Sequence, residues 1–98
     1  MLDLSDGQLA EVQAILAKNL AQKSEVYAFG SRTKQTARKY SDLDLLIKTA
    51  DPIDYGSLSL LEEAFSESDL PFKTDLVDWN RVSEEFQDHI KPQLVRIL

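Results

Sequence analysis

The segment that most constrains this chain is Leu43-Asp44-Leu45-Leu46-Ile47. Four apolar side chains in five positions do not alternate as a half-buried strand would. Such a run reads as a strand covered on both faces, the pattern of an interior strand in an α/β layer. The rest of the sequence supplies the cover. Residues 5–22 place Leu9, Val12, Ile15, Leu16 and Leu20 on one helical stripe, and Ser5 with Gln8 has capping-box spacing at its start. Residues 25–29 read as a short strand ending at Gly30. Residues 31–41 are polar and basic, with one helical turn at their start. Asp51-Pro52 breaks the chain after the central strand. Residues 56–68 read as a second long helix with Leu58, Leu61 and Phe65 on one side, ended by Asp69-Leu70-Pro71. Residues 72–78 read as a third strand. Asn80 is the expected cap of a last helix that runs to His89 or Ile90 with Val82, Phe86 and Ile90 inward, and Pro92 interrupts it.

The order is α-β-α-β-α-β-α. A strand, a long helix and a strand favour a parallel pair with a right-handed crossover; the shorter connection between the first two strands favours an antiparallel pair. The expected fold is therefore α/β (α+β): a small mixed three-stranded sheet flanked by helices, one domain over residues 1–98.

Composition removes several function classes. With no cysteine among 98 residues, a thiolate zinc site, a disulfide scaffold and a cysteine nucleophile are excluded. A single histidine, His89, excludes most histidine-based metal sites. No apolar run is long enough to span a membrane, and the acidic N-terminal stretch has no signal-peptide pattern, so a cytoplasmic protein is expected. The net charge of −6 opposes broad contact with a nucleic-acid backbone. The exception is local: Arg32, Lys34, Arg38 and Lys39 lie within eight positions free of acids.

Chemistry-bearing residues gather around that basic run. Gly30-Ser31 follows a strand; glycine permits close backbone approach to a ligand, and serine adds a hydroxyl and an amide suited to phosphate. Asp42 and Asp44 head the central strand on one face, about 7 Å apart. Two carboxylates so placed repel each other unless a cation lies between them, and Mg²⁺ is bound through one or two carboxylates plus substrate phosphates. Asp75 on the third strand comes beside them if the crossover is parallel, giving a carboxylate set able to hold two metal ions for in-line phosphoryl chemistry. Asp78 falls on the opposite face of a regular strand, as a rim or cap residue. Arg32, Lys34 and Arg38 lie between the glycine turn and the carboxylates, where they could neutralise phosphate oxygens.

Gly30-Ser31, ten residues, then Asp42-Leu43-Asp44 resembles the signature of polymerase-β-type nucleotidyltransferases. The longer match, Phe29-Gly30-Ser31-Arg32 through Thr36-Ala37-Arg38 to Ser41-Asp42-Leu43-Asp44-Leu45, is similar to the minimal nucleotidyltransferase (MNT) family, as is Pro71 to Trp79 to its third-carboxylate strand. The resemblance implies a polymerase-β-like core. It implies metal ligands and catalytic residues at Asp42, Asp44 and Asp75, and a phosphate-gripping turn at Gly30 and Ser31, to which the basic run adds Arg32 and Arg38 as expected nucleotide-binding residues, with Mg²⁺ as two ions and ATP as substrate. It also implies transfer of AMP from ATP to a hydroxyl, and pairing with a HEPN-domain toxin whose tyrosine is the acceptor, the chain acting as antitoxin. Gln35 departs from the glycine many members have, and Lys91-Pro92-Gln93-Leu94 lacks the usual glycine after the last helix. The chain carries no separate helical substrate domain, so a partner surface is expected to complete the site. Two other readings remain open at this level: a non-catalytic module that masks its partner, and nucleotidyl transfer to a small molecule such as an aminoglycoside.

Overall fold

A computed structural model describes residues 2–20, 23–34 and 41–98. Seven regular elements follow in order: α1 (Asp6–Asn19), β1 (Glu25–Phe29), β2 (Leu43–Lys48), α2 (Tyr55–Ser66), β3 (Thr74–Asp78), α3 (Glu84–Ile90) and β4 (Val95–Arg96). The sheet has the order β3-β2-β1-β4, with β2 parallel to β3 and β1 antiparallel to both β2 and β4. The apolar run Leu43–Ile47 is thus interior. A fourth strand extends the three expected from sequence. Val95–Arg96 is too short to alternate visibly, and its pairing is set by β1 rather than by local pattern.

Period-2 alternation divides the core into two layers. Val26, Ala28, Leu43, Leu45 and Ile47 face α1 and α2, where Val12, Leu16, Leu61 and Phe65 cover them. Phe29 and Leu46 face the other side, against Ile90, Phe86 and Leu94. Phe29 and Phe86 meet edge to face with ring centroids 6.1 Å apart. Each fully buried leucine or isoleucine of β2 contributes about 1.5–3 kcal/mol, which holds this strand, and whatever stands at its head, in fixed register.

The helix starts follow capping chemistry. Ser5 and Gln8 form a reciprocal capping box on α1, and Asp54 accepts from the Ser57 amide to start α2. The cap of α3 is Ser83, whose hydroxyl accepts from the Phe86 amide, and not Asn80. Asn80 belongs to a 3₁₀ turn over Trp79–Arg81 and donates its side-chain amide to the Thr49 carbonyl. Asp78 is a cap rather than a rim residue: it is buried, caps the 3₁₀ turn by accepting from the Asn80 amide, accepts from the Ile53 amide as well, and pairs with Arg81 at 3.0 Å. No helix among the described residues is long and apolar enough to cross a membrane.

Candidate active site

The sheet register brings the expected carboxylates together. Asp44 lies opposite Phe29 on β1 and opposite Asp75 on β3. The side chains of Asp44 and Leu46 share a face by alternation, so Asp44 stands on the α3 side of the sheet. Asp42 precedes β2 by one residue and is exposed, as is Asp75, whereas Asp44 is half-buried.

Electrostatics report the crowding. The Asp44 carboxyl is raised from the ordinary 3.8 to about 6, first by burial and then by the charges of Asp75 and Asp42, with a hydrogen bond to Asp75 adding to it. A carboxyl crowded in this way by two acidic neighbours offers hard oxygen donors whose repulsion a divalent cation would relieve. Among the described residues no group of three or more acidic, histidine or cysteine side chains already stands ready to hold a metal ion. Asp44 and Asp75 are instead cross-strand neighbours in the β2–β3 register. The raised Asp44 pKa comes from that crowding, and a proton and a cation would compete for the same carboxylate pair. The donor chemistry fits Mg²⁺, with Asp42, Asp44 and Asp75 as the residues that would hold it.

Gly30 closes the site from β1. Its φ is +82°, in the left-handed region. A Cβ at this position would meet the Asp44 carboxylate oxygen and force that side chain to shift, and the left-handed backbone itself favours glycine. The Gly30 carbonyl accepts from the Thr33 amide at 3.0 Å and from the Thr33 hydroxyl at 2.7 Å, and its amide donates to the Gln93 side-chain oxygen at 3.1 Å. Ser31 starts a 3₁₀ turn over Ser31–Thr33, directly after this glycine.

Arg32 takes a place the sequence does not suggest. It is 5% exposed. Its guanidinium donates to the Ser41 and Asp3 carbonyls, both at 3.0 Å, and lies 4.1 Å above the Phe72 ring. These contacts tie the start of the basic segment to the N-terminal chain and to the residue just before Asp42. Within the described residues Asp44, Asp75 and Gly30 are brought side by side, Asp42 precedes them at the head of β2, Ser31 follows Gly30, and Arg32 is turned inward. Arg38 lies outside the described residues. Thr33 and Gln93, which fix Gly30, are the contacts that sequence reading missed. A threonine two positions after Gly30-Ser31 hints at a local side-chain turn, but Gln93 comes from the far end of the chain and leaves no local signal.

Residues 10–98 match the family described as polymerase beta, nucleotidyltransferase. A Haemophilus influenzae protein named "Probable protein adenylyltransferase MntA" is 48% identical over 96 residues, which are 98% of this chain and 83% of that protein. Among solved structures, a toxin–antitoxin crystal structure with AMP-PNP aligns at a TM-score of 0.79 and 24% identity, covering 92% of this chain and 72% of its counterpart. A tri-AMPylated Shewanella oneidensis HEPN toxin in complex with an MNT antitoxin aligns at 0.70 and 22% identity, covering 92% and 68%. At such identities the structural matches show the shared fold.

Proposed function

The chain belongs to the polymerase-β-type nucleotidyltransferase family, and from that premise we propose that it transfers AMP from ATP to a tyrosine hydroxyl of a HEPN-type toxin protein and so acts as its antitoxin. The carrying observation is the register that sets Asp44 between Asp75 on one side and the Phe29–Gly30 end of β1 on the other, at the head of a strand locked by its apolar core. The 48% relative, named for protein adenylyl transfer, supports the acceptor class. The toxin–antitoxin complexes that share the fold support the partner class.

In this reading Asp42, Asp44 and Asp75 would hold Mg²⁺. When bound, the metal supplies charge neutralisation at the α-phosphate and a lowered pKa at the incoming hydroxyl. Ser31, with its hydroxyl and amide at the end of β1, holds the outer phosphates of ATP, while Gly30 leaves room for Asp44 against the backbone. The tyrosine oxygen attacks the α-phosphorus in line. The bond from that phosphorus to the bridging oxygen of the β-phosphate breaks, pyrophosphate leaves, and the hydroxyl proton passes to Asp75, the more exposed of the paired strand carboxylates. Arg32 positions the segment leading to Asp42 rather than touching nucleotide. ATP and Mg²⁺ are cytoplasmic reagents, and the reading places the protein there.

The test uses ATP labelled at the α-phosphate, Mg²⁺ and a purified HEPN toxin partner. Label should move to the toxin, disappear with a tyrosine-to-phenylalanine acceptor, and fall at least about 100-fold for Asp44→Ala or Asp75→Ala. Silencing of the toxin without label transfer would overturn the enzymatic reading in favour of a mask; label on an aminoglycoside but not on protein would overturn the acceptor assignment.

A further inference from the structure

β4 does more than extend the sheet. Its register against β1 pairs Tyr27 with Arg96 and Ala28 with Val95. Continuing that register sets Gly30 opposite Gln93. Regular pairing has stopped by then, because Lys91–Gln93 form a 3₁₀ turn that Pro92 favours. The Gln93 side-chain carbonyl takes over at this point and accepts the Gly30 amide at 3.1 Å. The Gly30 carbonyl is held at the same time by the amide and hydroxyl of Thr33. Both polar groups of this left-handed glycine are therefore fixed. One is fixed locally, the other by a side chain sixty-three positions away.

We propose that Gln93 is a positioning residue for nucleotide binding: by holding the Gly30 amide it keeps the turn in the conformation that seats Ser31 for the phosphates and leaves Asp44 its place against the glycine. The proposal rests on the nucleotide reading above. Gly30 has the widest conformational choice in this segment, so a bond on its amide restricts the turn most where it is otherwise freest. Loss of one neutral hydrogen bond corresponds to roughly a three- to tenfold change in an equilibrium. That is the expected weakening of ATP binding if the bond's role is to hold the turn ready for substrate. Because Ser31 holds phosphates that are equally present in ground and transition states, the loss should appear in KM rather than in kcat.

The experiment compares the full chain with Gln93→Leu, which removes the acceptor at similar size, and Gln93→Glu, which keeps an acceptor at the same place. Amide hydrogen exchange of Gly30 is followed without nucleotide, with the β1 amides of Val26 and Ala28 as internal references; KM and kcat for ATP are measured with Mg²⁺ and the toxin. Gln93→Leu should speed Gly30 exchange about tenfold with the reference amides unchanged, and should raise KM for ATP about three- to tenfold with kcat within twofold. Gln93→Glu should keep Gly30 exchange slow. Unchanged Gly30 exchange and KM in Gln93→Leu would overturn the proposal. Acceleration of Val26 and Ala28 together with Gly30 would reduce Gln93 to a plain structural contact and overturn it equally. A wild-type chain that binds no ATP would overturn the nucleotide reading and this inference with it, whereas wild-type binding with an unaltered Gln93→Leu variant overturns this inference alone.

Discussion

Asp44→Asn should inactivate the protein and stabilise it. In the folded chain the Asp44 carboxyl holds its proton up to about pH 6, against 3.8 for the ordinary group. The folded state therefore binds more protons than the unfolded state between those values, and stability falls as pH rises through that window. The full difference, at about 1.36 kcal/mol per tenfold, is at most about 3 kcal/mol. Asp44 is only half-buried, and its two acidic neighbours are exposed. Solvent and counterions screen those charges, so about 1 kcal/mol is the realistic penalty at neutral pH. Asparagine keeps the shape and the ability to hydrogen-bond Asp75 but removes the charge. At pH 7.5 the variant should melt about 4–8 °C above wild type, the shift that 1 kcal/mol gives a domain of this size. At pH 4, where the folded Asp44 is protonated and the unfolded carboxyl, with its ordinary 3.8, is partly so, the gap should shrink to a small part of its size at pH 7.5. Mg²⁺ should raise the wild-type Tm at pH 7.5 and leave the variant nearly unmoved. Thermal melts by circular dichroism at the two pH values, with and without Mg²⁺, check all three statements. A variant no more stable than wild type at pH 7.5, or a gap that persists unchanged at pH 4, would refute the account of charge crowding at this site.

Substitutions at three further positions probe the scaffold. Gly30→Ala places a methyl group against the Asp44 carboxylate on a backbone with φ of +82°; it should cost about 1–3 kcal/mol in urea unfolding and abolish label transfer. Arg32→Ala removes a buried guanidinium from two carbonyls and the Phe72 ring and should lower stability by about 2–4 kcal/mol, whereas Arg32→Lys should recover part of it; equal urea midpoints for wild type and Arg32→Ala would contradict the inward placement. Asp78→Ala strips the Ile53 amide and Arg81 of their shared acceptor and should destabilise by about 3 kcal/mol, while KM for ATP measured on the folded fraction stays at the wild-type value.

The parts of the fold that local chemistry determines were legible in the sequence. The Ser5–Gln8 box, the breaks at Asp51-Pro52 and Asp69-Leu70-Pro71, and the two-sided burial of Leu43–Ile47 all depend on neighbours a few positions away. The convergence of Asp44 and Asp75 followed from one topological rule, that a strand joined to the next by a long helix lies parallel to it. What escaped depends on distant partners. β4 is two residues that pair only because β1 offers an edge. Arg32 reads as one charge in a basic run, yet its planar guanidinium finds the Phe72 face and two carbonyls that sequence cannot bring near it. Asp78 belongs by alternation on the face opposite Asp75, and that was correctly expected to keep it apart from Asp75; its burial arises because the Ile53 amide and Arg81 need an acceptor there. Ser83 displaced Asn80 as the α3 cap because the 3₁₀ turn at Trp79–Arg81 delays the helix start.

The central claim is that Asp42, Asp44 and Asp75 gather around divalent cations beside the Gly30 turn. Crystals grown with Mn²⁺ and a non-hydrolysable ATP analogue, with diffraction recorded at the manganese edge, test it at the atoms concerned. The account predicts an anomalous peak in contact with carboxylate oxygens of at least two of the three aspartates and with the analogue's phosphates. Manganese bound to the analogue away from all three aspartates would contradict it.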